Sequence, residues 1–363
     1  MNFGMLLLFA HAGSSLTEAE LFQEECDVGV FAEEVGLDSV WAPEHHFDKP
    51  YCMSPDNLDV LMYIACKTER IKLGTGGVIL PWHKDPMRVA ERLNILDIIS
   101  KGRVLLGFGR GLARIEYDTF GVKMDDSRGR FDEAAAIVMQ GLDNGVVEEF
   151  HGKYFDQPRA PIFPKSERTW RDRIHTIAMS PPSTISAAEF GGTLMCFNYQ
   201  YPLEQQAEQF ETWRTRYREV HQSEPPAPVL LDFCYCHEDP EHADAHMRAY
   251  LGKFYNAMVD HYEFDGQHFG NTHEYSSYQD GADMLREVGR EAAFDFFYSL
   301  QLKGSPEQII ETIKQRREAI GEYQQMVLMS FGGMDFSEVR ASLKLLGDKV
   351  IPEFKAPALT TAG

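Results

Sequence analysis

Four times between Asn2 and Phe108 a short apolar run is followed by a capped, amphipathic stretch, at a period of about 30 residues. A chain that repeats strand and helix in this way builds a parallel sheet, because each helix returns the chain to begin the next strand in the same direction. Strand one is read over Asn2 to Ala10. Thr17 caps a helix that runs to about Val35 and stops at Gly36. Leu37–Ala42 is strand two, and Ser54-Pro55-Asp56 opens a second helix with Leu58, Leu61, Met62 and Ala65 at helical spacing. Ile71–Thr75 is strand three, Asp85 caps a third helix with Pro86 in its first position, and Arg103–Phe108 is strand four.

The second half continues the pattern less regularly. A helix over 128–142 precedes a hairpin of Val146–Phe150 with Lys153–Phe155. Strands follow at Arg173–Ala178, Thr193–Phe197, Val229–Cys236 and Gln325–Ser330, interleaved with helices Ser183–Phe190, Leu203–His221, Pro240–Tyr255, Pro306–Ile320 and Ser337–Leu346. This order predicts an α/β fold, a (β/α)8 TIM barrel. A chain of 363 residues exceeds the roughly 250 of a typical barrel, so insertions are expected at 111–127, 146–172 and 260–300. A doubly wound open sheet shares the local pattern and stays open as an alternative. No linker, repeat or low-complexity tract interrupts the chain, which predicts one domain over 1–355 and a flexible tail over 356–363.

Charge narrows the partners. A net charge of −21 opposes nucleic acid and anionic membrane, both of which need a basic footprint, but leaves room for a phosphate-bearing cofactor in a locally positive pocket. The six cysteines show no framework spacing, and Cys234-x-Cys236 within a strand is too little for zinc, so free thiols in a reducing cytoplasm are expected. The opening run Met5–Phe9 is too short to span a bilayer and reads as a strand.

Chemistry is expected at the carboxyl ends of the strands. Strand two ends at Pro43 and hands over to Glu44-His45-His46-Phe47, a carboxylate and two imidazoles suited to proton transfer or metal ligation. Gly74-Thr75-Gly76-Gly77 ends strand three, where glycines permit close backbone approach, and Gly107–Gly111 ends strand four. Met179-Ser180-Pro181-Pro182-Ser183-Thr184 opens the helix after strand five; hydroxyls and free N–H groups there suit either N-capping or an anion, with Arg110 nearby to pair with one. Two other patterns are weaker. Gly107-x-Gly109-x-Gly111 lacks the final glycine of a dinucleotide fingerprint and an evident helix directly after it. His242 and His246 have metal-capable spacing, but Glu238–Glu241 mark an acidic, solvated helix start, and no metal site is expected.

In their order along nearly the whole chain, several segments resemble the bacterial luciferase-like flavin monooxygenase family, in particular its catalytic α-subunit type. They are Met1–Gly4, Glu44–Phe47, Gly74–Pro81, Pro86–Glu91, Leu96–Arg103, Gly107–Gly111, Phe120-Gly121, the Ser180/Ser183 segment, Gly304–Glu307 and Lys344–Phe354. The resemblance implies a (β/α)8 barrel that uses reduced FMN from a separate flavin reductase, a two-component system, and activates O2 as a flavin C4a-hydroperoxide. The substrate implied is a small, largely apolar organic molecule such as an aldehyde or ketone. It makes His45 the catalytic residue. It makes Arg110, Met179, Ser180 and Ser183 the phosphate grip, and Gly76-Gly77 a non-proline cis peptide beside the flavin ring. The 260–300 stretch falls at a mobile lid, where Phe264, Phe269, Tyr275 and Tyr278 would exclude water. A homodimer, or a heterodimer with a paralogue, is implied through the helices after strands two and three. One departure is Gly109, where the α subunit has a reactive cysteine; this counts against light emission and long-chain aldehydes more than against oxygenation. F420-dependent hydride transfer on the same barrel, and a non-catalytic flavin-binding partner subunit, are the alternatives.

Overall fold

The computed structural model describes residues 1–199 and 201–355, so the expected tail over 356–363 lies outside the described residues. Eight parallel strands close on themselves. They are β1 (Phe3–Leu6), β2 (Ser39–Ala42), β3 (Lys72–Thr75), β4 (Val104–Gly109), β5 (Ile174–Ile177), β6 (Thr193–Phe197), β7 (Val229–Cys236) and β8 (Gln324–Leu328). Each pairs with the next, β4 meets β5 through His175 opposite Gly107, and β8 returns to β1 through Met326 opposite Gly4. Closure removes the open-sheet alternative. Short strands Val78–Ile79 and Leu302–Gly304 extend the far ends of β4 and β7.

The helices form where the caps placed them. Thr17 makes a reciprocal capping box with Glu20 at the start of α1 (Glu18–Glu34), and Asp56 accepts the Leu58 and Asp59 N–H groups at the start of α2 (Asn57–Lys67). Asp85 stands before α3 (Pro86–Ile99), yet its side chain makes no capping hydrogen bond. The six cysteines are free thiols, and Cys66 alone among them is exposed. No described helix is long and apolar enough to cross a membrane.

Three expectations need correction. Residues 111–127 contain a helix, α4 (Arg114–Phe120), which the sequence reading passed over because its 7 residues, about two turns, are too short to show periodicity. The hairpin is differently paired: after α5 (Ser127–Asn144), Val146–Val147 joins Ala160–Pro161, and Phe150–His151 joins Asp156–Gln157, leaving Lys153–Phe155 in the turn. The helix after β7 continues beyond Tyr255, because nothing breaks it before Glu263 adopts a left-handed conformation.

That long helix is α8, reached after α6 (Pro181–Phe190) and α7 (Leu203–His221). It spans Pro240–Tyr262, and Asp239 caps it by accepting the Glu241 and His242 N–H groups. An ordinary barrel helix would run back down the outside. Instead α8 stays on the C-terminal rim, running from the end of β7 past the loops after β8 and β1 to Tyr51 and His45 after β2. It passes so close to the loop after β8 that a Cβ on Gly332 would fall 1.8 Å from the Tyr250 carbonyl oxygen. The 260–300 insertion continues with 3-10 turns at Phe269–Asn271 and His273–Tyr278, then α9 (Gln279–Ser299), which is kinked at Gly289. Helices α10 (Pro306–Ile320) and α11 (Phe336–Leu345) complete the ring.

Candidate active site at the barrel mouth

Pro43 ends β2 and turns the chain outward, so Glu44, His45 and His46 stand on the rim. Their side chains then part company. His45 Nδ1 lies 3.1 Å from Oε1 of Glu116 on α4, and the same oxygen accepts the His46 backbone N–H at 2.8 Å. Because a carboxylate only accepts, the contact places the imidazole proton on Nδ1 and leaves Nε2 as the free position. That nitrogen faces the Tyr262 hydroxyl at 3.5 Å, and Tyr262 is in turn bonded to Tyr51 at 2.8 Å. Behind this pair, His261 Nδ1 lies 3.0 Å from Asp48 Oδ2, and its Nε2 points towards Glu116 at 4.0 Å with no partner. Burial pushes the His261 pKa down, more than the Asp48 bond raises it, so the ring is neutral at pH 7. Glu116 is fully buried, while the His45 side chain keeps 17% of its surface exposed. One imidazole is thus held by a buried carboxylate and opens to the mouth.

Glu44 anchors the neighbouring loops. Its carboxylate accepts the Ile79 N–H at 3.1 Å and the Trp82 indole N–H at 2.8 Å, and lies within 3.4 Å of both His46 and His83. Burial opposes its charge, but the His46 and His83 hydrogen bonds and the Ile79 N–H outweigh it and bring the carboxyl to about 2. His46 therefore supports the rim through Glu44, with its ring edge-on to Phe120 at 4.8 Å.

On the adjoining strands, the Gly76–Gly77 peptide is cis. A Cβ on Gly76 would strike Leu6 at 2.8 Å, and one on Gly77 would strike the Gly107 carbonyl oxygen at 2.9 Å, so no larger residue fits without a shift. Asn57 donates to the Gly77 carbonyl at 2.9 Å and pins the turn. At Gly109 the methyl end of Ile79 stands 2.6 Å from where a Cβ would lie, so apolar bulk from a neighbouring strand fills the space a side chain would take.

Arg110 and the Met179–Ser183 segment follow adjacent strands, β4 and β5, on the same edge of the barrel. Ser180 caps α6, and its hydroxyl lies 3.0 Å from that of Ser183 in a reciprocal box. The Met179 carbonyl accepts from the Tyr201 hydroxyl at 3.4 Å. Arg110 extends over the Tyr275 ring, 4.9 Å from its centre, and its Nη1 meets Glu274 Oε2 at 3.3 Å. Tyr275 donates to the Gly111 carbonyl at 2.8 Å, and with Phe269 it packs on Ile79, Trp82 and Tyr117. The 260–300 insertion therefore lies against the loop after β4. Phe269 and Tyr275 are buried there; Phe264 and Tyr278 pack at its edge.

The sequence reading missed Glu116, Asp48, His261 and Glu274, since each becomes relevant only through a partner far along the chain. It also set aside His242 and His246. They do lie on a part-exposed helix start, but Glu338 of α11 stands beside them. A helix does follow Gly111, namely α4, although the closed barrel gives it no dinucleotide-fold context.

A parallel eight-strand barrel with a histidine–carboxylate pair and a serine-capped helix start on one rim has the layout of a barrel enzyme, and makes the C-terminal mouth the candidate site. The chain belongs to the luciferase-like monooxygenase family, an oxidoreductase family whose profile matches residues 1–323. Among curated relatives, the alkanal monooxygenase alpha chain of Photobacterium leiognathi is 26% identical, over 97% of this chain and 98% of that one. The oxygenase component of the flavin-dependent trigonelline monooxygenase of Acinetobacter baylyi is 25% identical, over 98% and 96%. A monooxygenase from Streptomyces bottropensis superposes with TM-score 0.81 at 24% identity, covering 98% of this chain and all (100%) of that one. The oxygenating constituent of 3,6-diketocamphane monooxygenase from Pseudomonas putida, solved with FMN, gives TM-score 0.77 at 19% identity over 98% and 99%.

Proposed function

We propose that this chain is the oxygenase of a two-component system, which takes reduced FMN from a separate reductase and uses O2 to oxygenate a small, largely apolar substrate such as an aldehyde or ketone. The observation that carries the reading is the His45–Glu116 pair at the mouth, beside the Gly76–Gly77 turn. The residues present fit the cofactor. Arg110 already meets a carboxylate, Glu274, which stands where a phosphate oxygen would pair with the guanidinium. Ser180 and Ser183 hold their hydroxyls at a helix N-terminus, with the Met179 backbone beside them. The side-chain-free Gly76–Gly77 turn offers a flat backbone face to an aromatic ring. Reduced flavin, when bound, supplies the electrons that activate O2.

The chain's own residues do the rest. His45, oriented through Nδ1 by Glu116, presents Nε2 to take or return a proton. The Tyr262–Tyr51 pair closes the wall beside it, and the Tyr275 segment covers the rim and excludes water. The described residues fold as one barrel domain to 355 in this reading. Ile95, Ile98 and Ile99 on α3 leave an exposed apolar face suited to a homodimer or a heterodimer with a paralogue.

His45→Ala is expected to lower turnover with reduced FMN and O2 by about 10²–10⁴-fold. Undiminished turnover would remove His45 from the chemistry. Oxygen consumption on mixing with reduced FMN separates this function from F420-dependent hydride transfer, which consumes none. The heterodimer reading predicts turnover only after a paralogue is added.

A further inference from the structure

We propose that His242, His246 and Glu338 form a binding site for a divalent transition-metal ion of zinc type, on the outer rim of the barrel and separate from the catalytic mouth. His242 and His246 stand four residues apart on α8, so both imidazoles project from one face. Glu338, in the first turn of α11, faces them: its Oε1 lies 4.0 Å from His242 Nε2 and 3.3 Å from His246 Nδ1. The three ligand atoms all fall within 4.8 Å of one another. Ligands around one tetrahedral ion at about 2 Å stand roughly 3.3 Å apart, and the stacked His242 and His246 rings must turn so that their lone pairs converge on one ion.

Two further observations point to a ligand. His246 Nδ1 is shielded from solvent yet makes no hydrogen bond, despite the carboxylate beside it. A lone pair or N–H left idle there is costly, and a cation between it and Glu338 removes the cost. Glu338 is also held from behind, since Tyr235 donates to Oε1 and Tyr250 lies 3.3 Å from Oε2. Such outer hydrogen bonds fix the direction of a ligating carboxylate. His237 stacks on His242 at 4.0 Å, and His242 on His246 at 3.8 Å.

Access is open: the side chains of His242, His246 and Glu338 are 34%, 42% and 23% exposed. An ion can enter from solvent and complete its coordination with water. Two imidazoles and a carboxylate suit zinc better than magnesium or calcium, which prefer oxygen alone. Asp239 and Glu241 in the first turn of α8 offset the positive end of the helix dipole. A bound ion would tie α8 to α11, and so pin the helix whose other end delivers His261 and Tyr262 to the mouth.

The test is calorimetric titration of the chelator-treated, flavin-free full-length chain with zinc, alongside thermal denaturation. The expected result is one ion per chain in the micromolar range or tighter, with a rise in Tm on adding zinc. His246→Gln and Glu338→Gln should each weaken binding about tenfold or more and abolish the rise, whereas His261→Gln should retain both. His246 is part-exposed, so its variant keeps the fold even if Glu338→Gln loosens the tyrosines behind it. Absence of binding to the native chain would overturn the site and leave an imidazole–carboxylate ion pair only. Binding unchanged by His246→Gln would overturn it as well, by locating the ion elsewhere.

Discussion

Helix α8 carries two histidine–carboxylate clusters, one near each end, about 22 Å apart at 1.5 Å per residue from His246 to His261. Each combines two imidazoles with a glutamate from another helix, and within each the ligand atoms lie inside 4.8 Å. Their surroundings differ. At the mouth, His45 and His261 each give Nδ1 to a carboxylate, and Tyr51 stacks on the His261 ring at 4.1 Å. At the rim, His246 Nδ1 is idle and the cluster is open to water. Residue composition alone therefore does not assign either cluster to proton transfer or to a metal. What distinguishes them is how many nitrogens are already committed and whether an ion can reach the rest.

The sharpest way to break this contrast is Glu116→Gln. If the carboxylate orients His45, the amide should cut turnover on the order of 10²-fold. Zinc binding at the rim should not change. A Glu116→Gln enzyme with native turnover and lost zinc affinity would reverse the roles assigned to the two clusters.

Glu44 gives the next largest effect, on stability. Its folded pKa of about 2 lies below the ordinary 4.5, so its contribution is full above about 4.5 and is lost as the pH falls towards 2. The size is roughly 3 kcal/mol at neutral pH. Glu44→Gln should lower the unfolding free energy by about that amount at pH 7 and flatten its fall in acid, as read by denaturant titration across pH. An unchanged slope would mean that the rim does not depend on this carboxylate.

The smallest effect concerns the lid. Glu274 competes for Arg110 in a part-exposed pair, which is worth about 0.2–1 kcal/mol. Glu274→Gln should tighten FMN binding by up to about fivefold, whereas Arg110→Ala should weaken it. Equal affinity in both variants would separate Arg110 from the phosphate.

The sequence by itself determined most of the architecture. The strand–helix period, with Thr17, Asp56, Ser180 and Ser305 each making a side-chain cap at its helix start, is local information, and local hydrogen bonds realise it. The positions of His45, Gly76, Gly77, Arg110 and Ser180 were legible because barrel topology puts every strand's carboxyl end on one rim. Only the tertiary structure decided their partners. Glu116 lies 71 residues from His45, and Glu274 lies 164 from Arg110. The path of α8 along the rim was equally invisible, since it depends on Gly332 admitting the helix backbone from a loop 82 residues beyond Tyr250. Pattern and capping act over a helical turn, whereas a buried carboxylate finds its histidine only when closure of the barrel brings distant loops together.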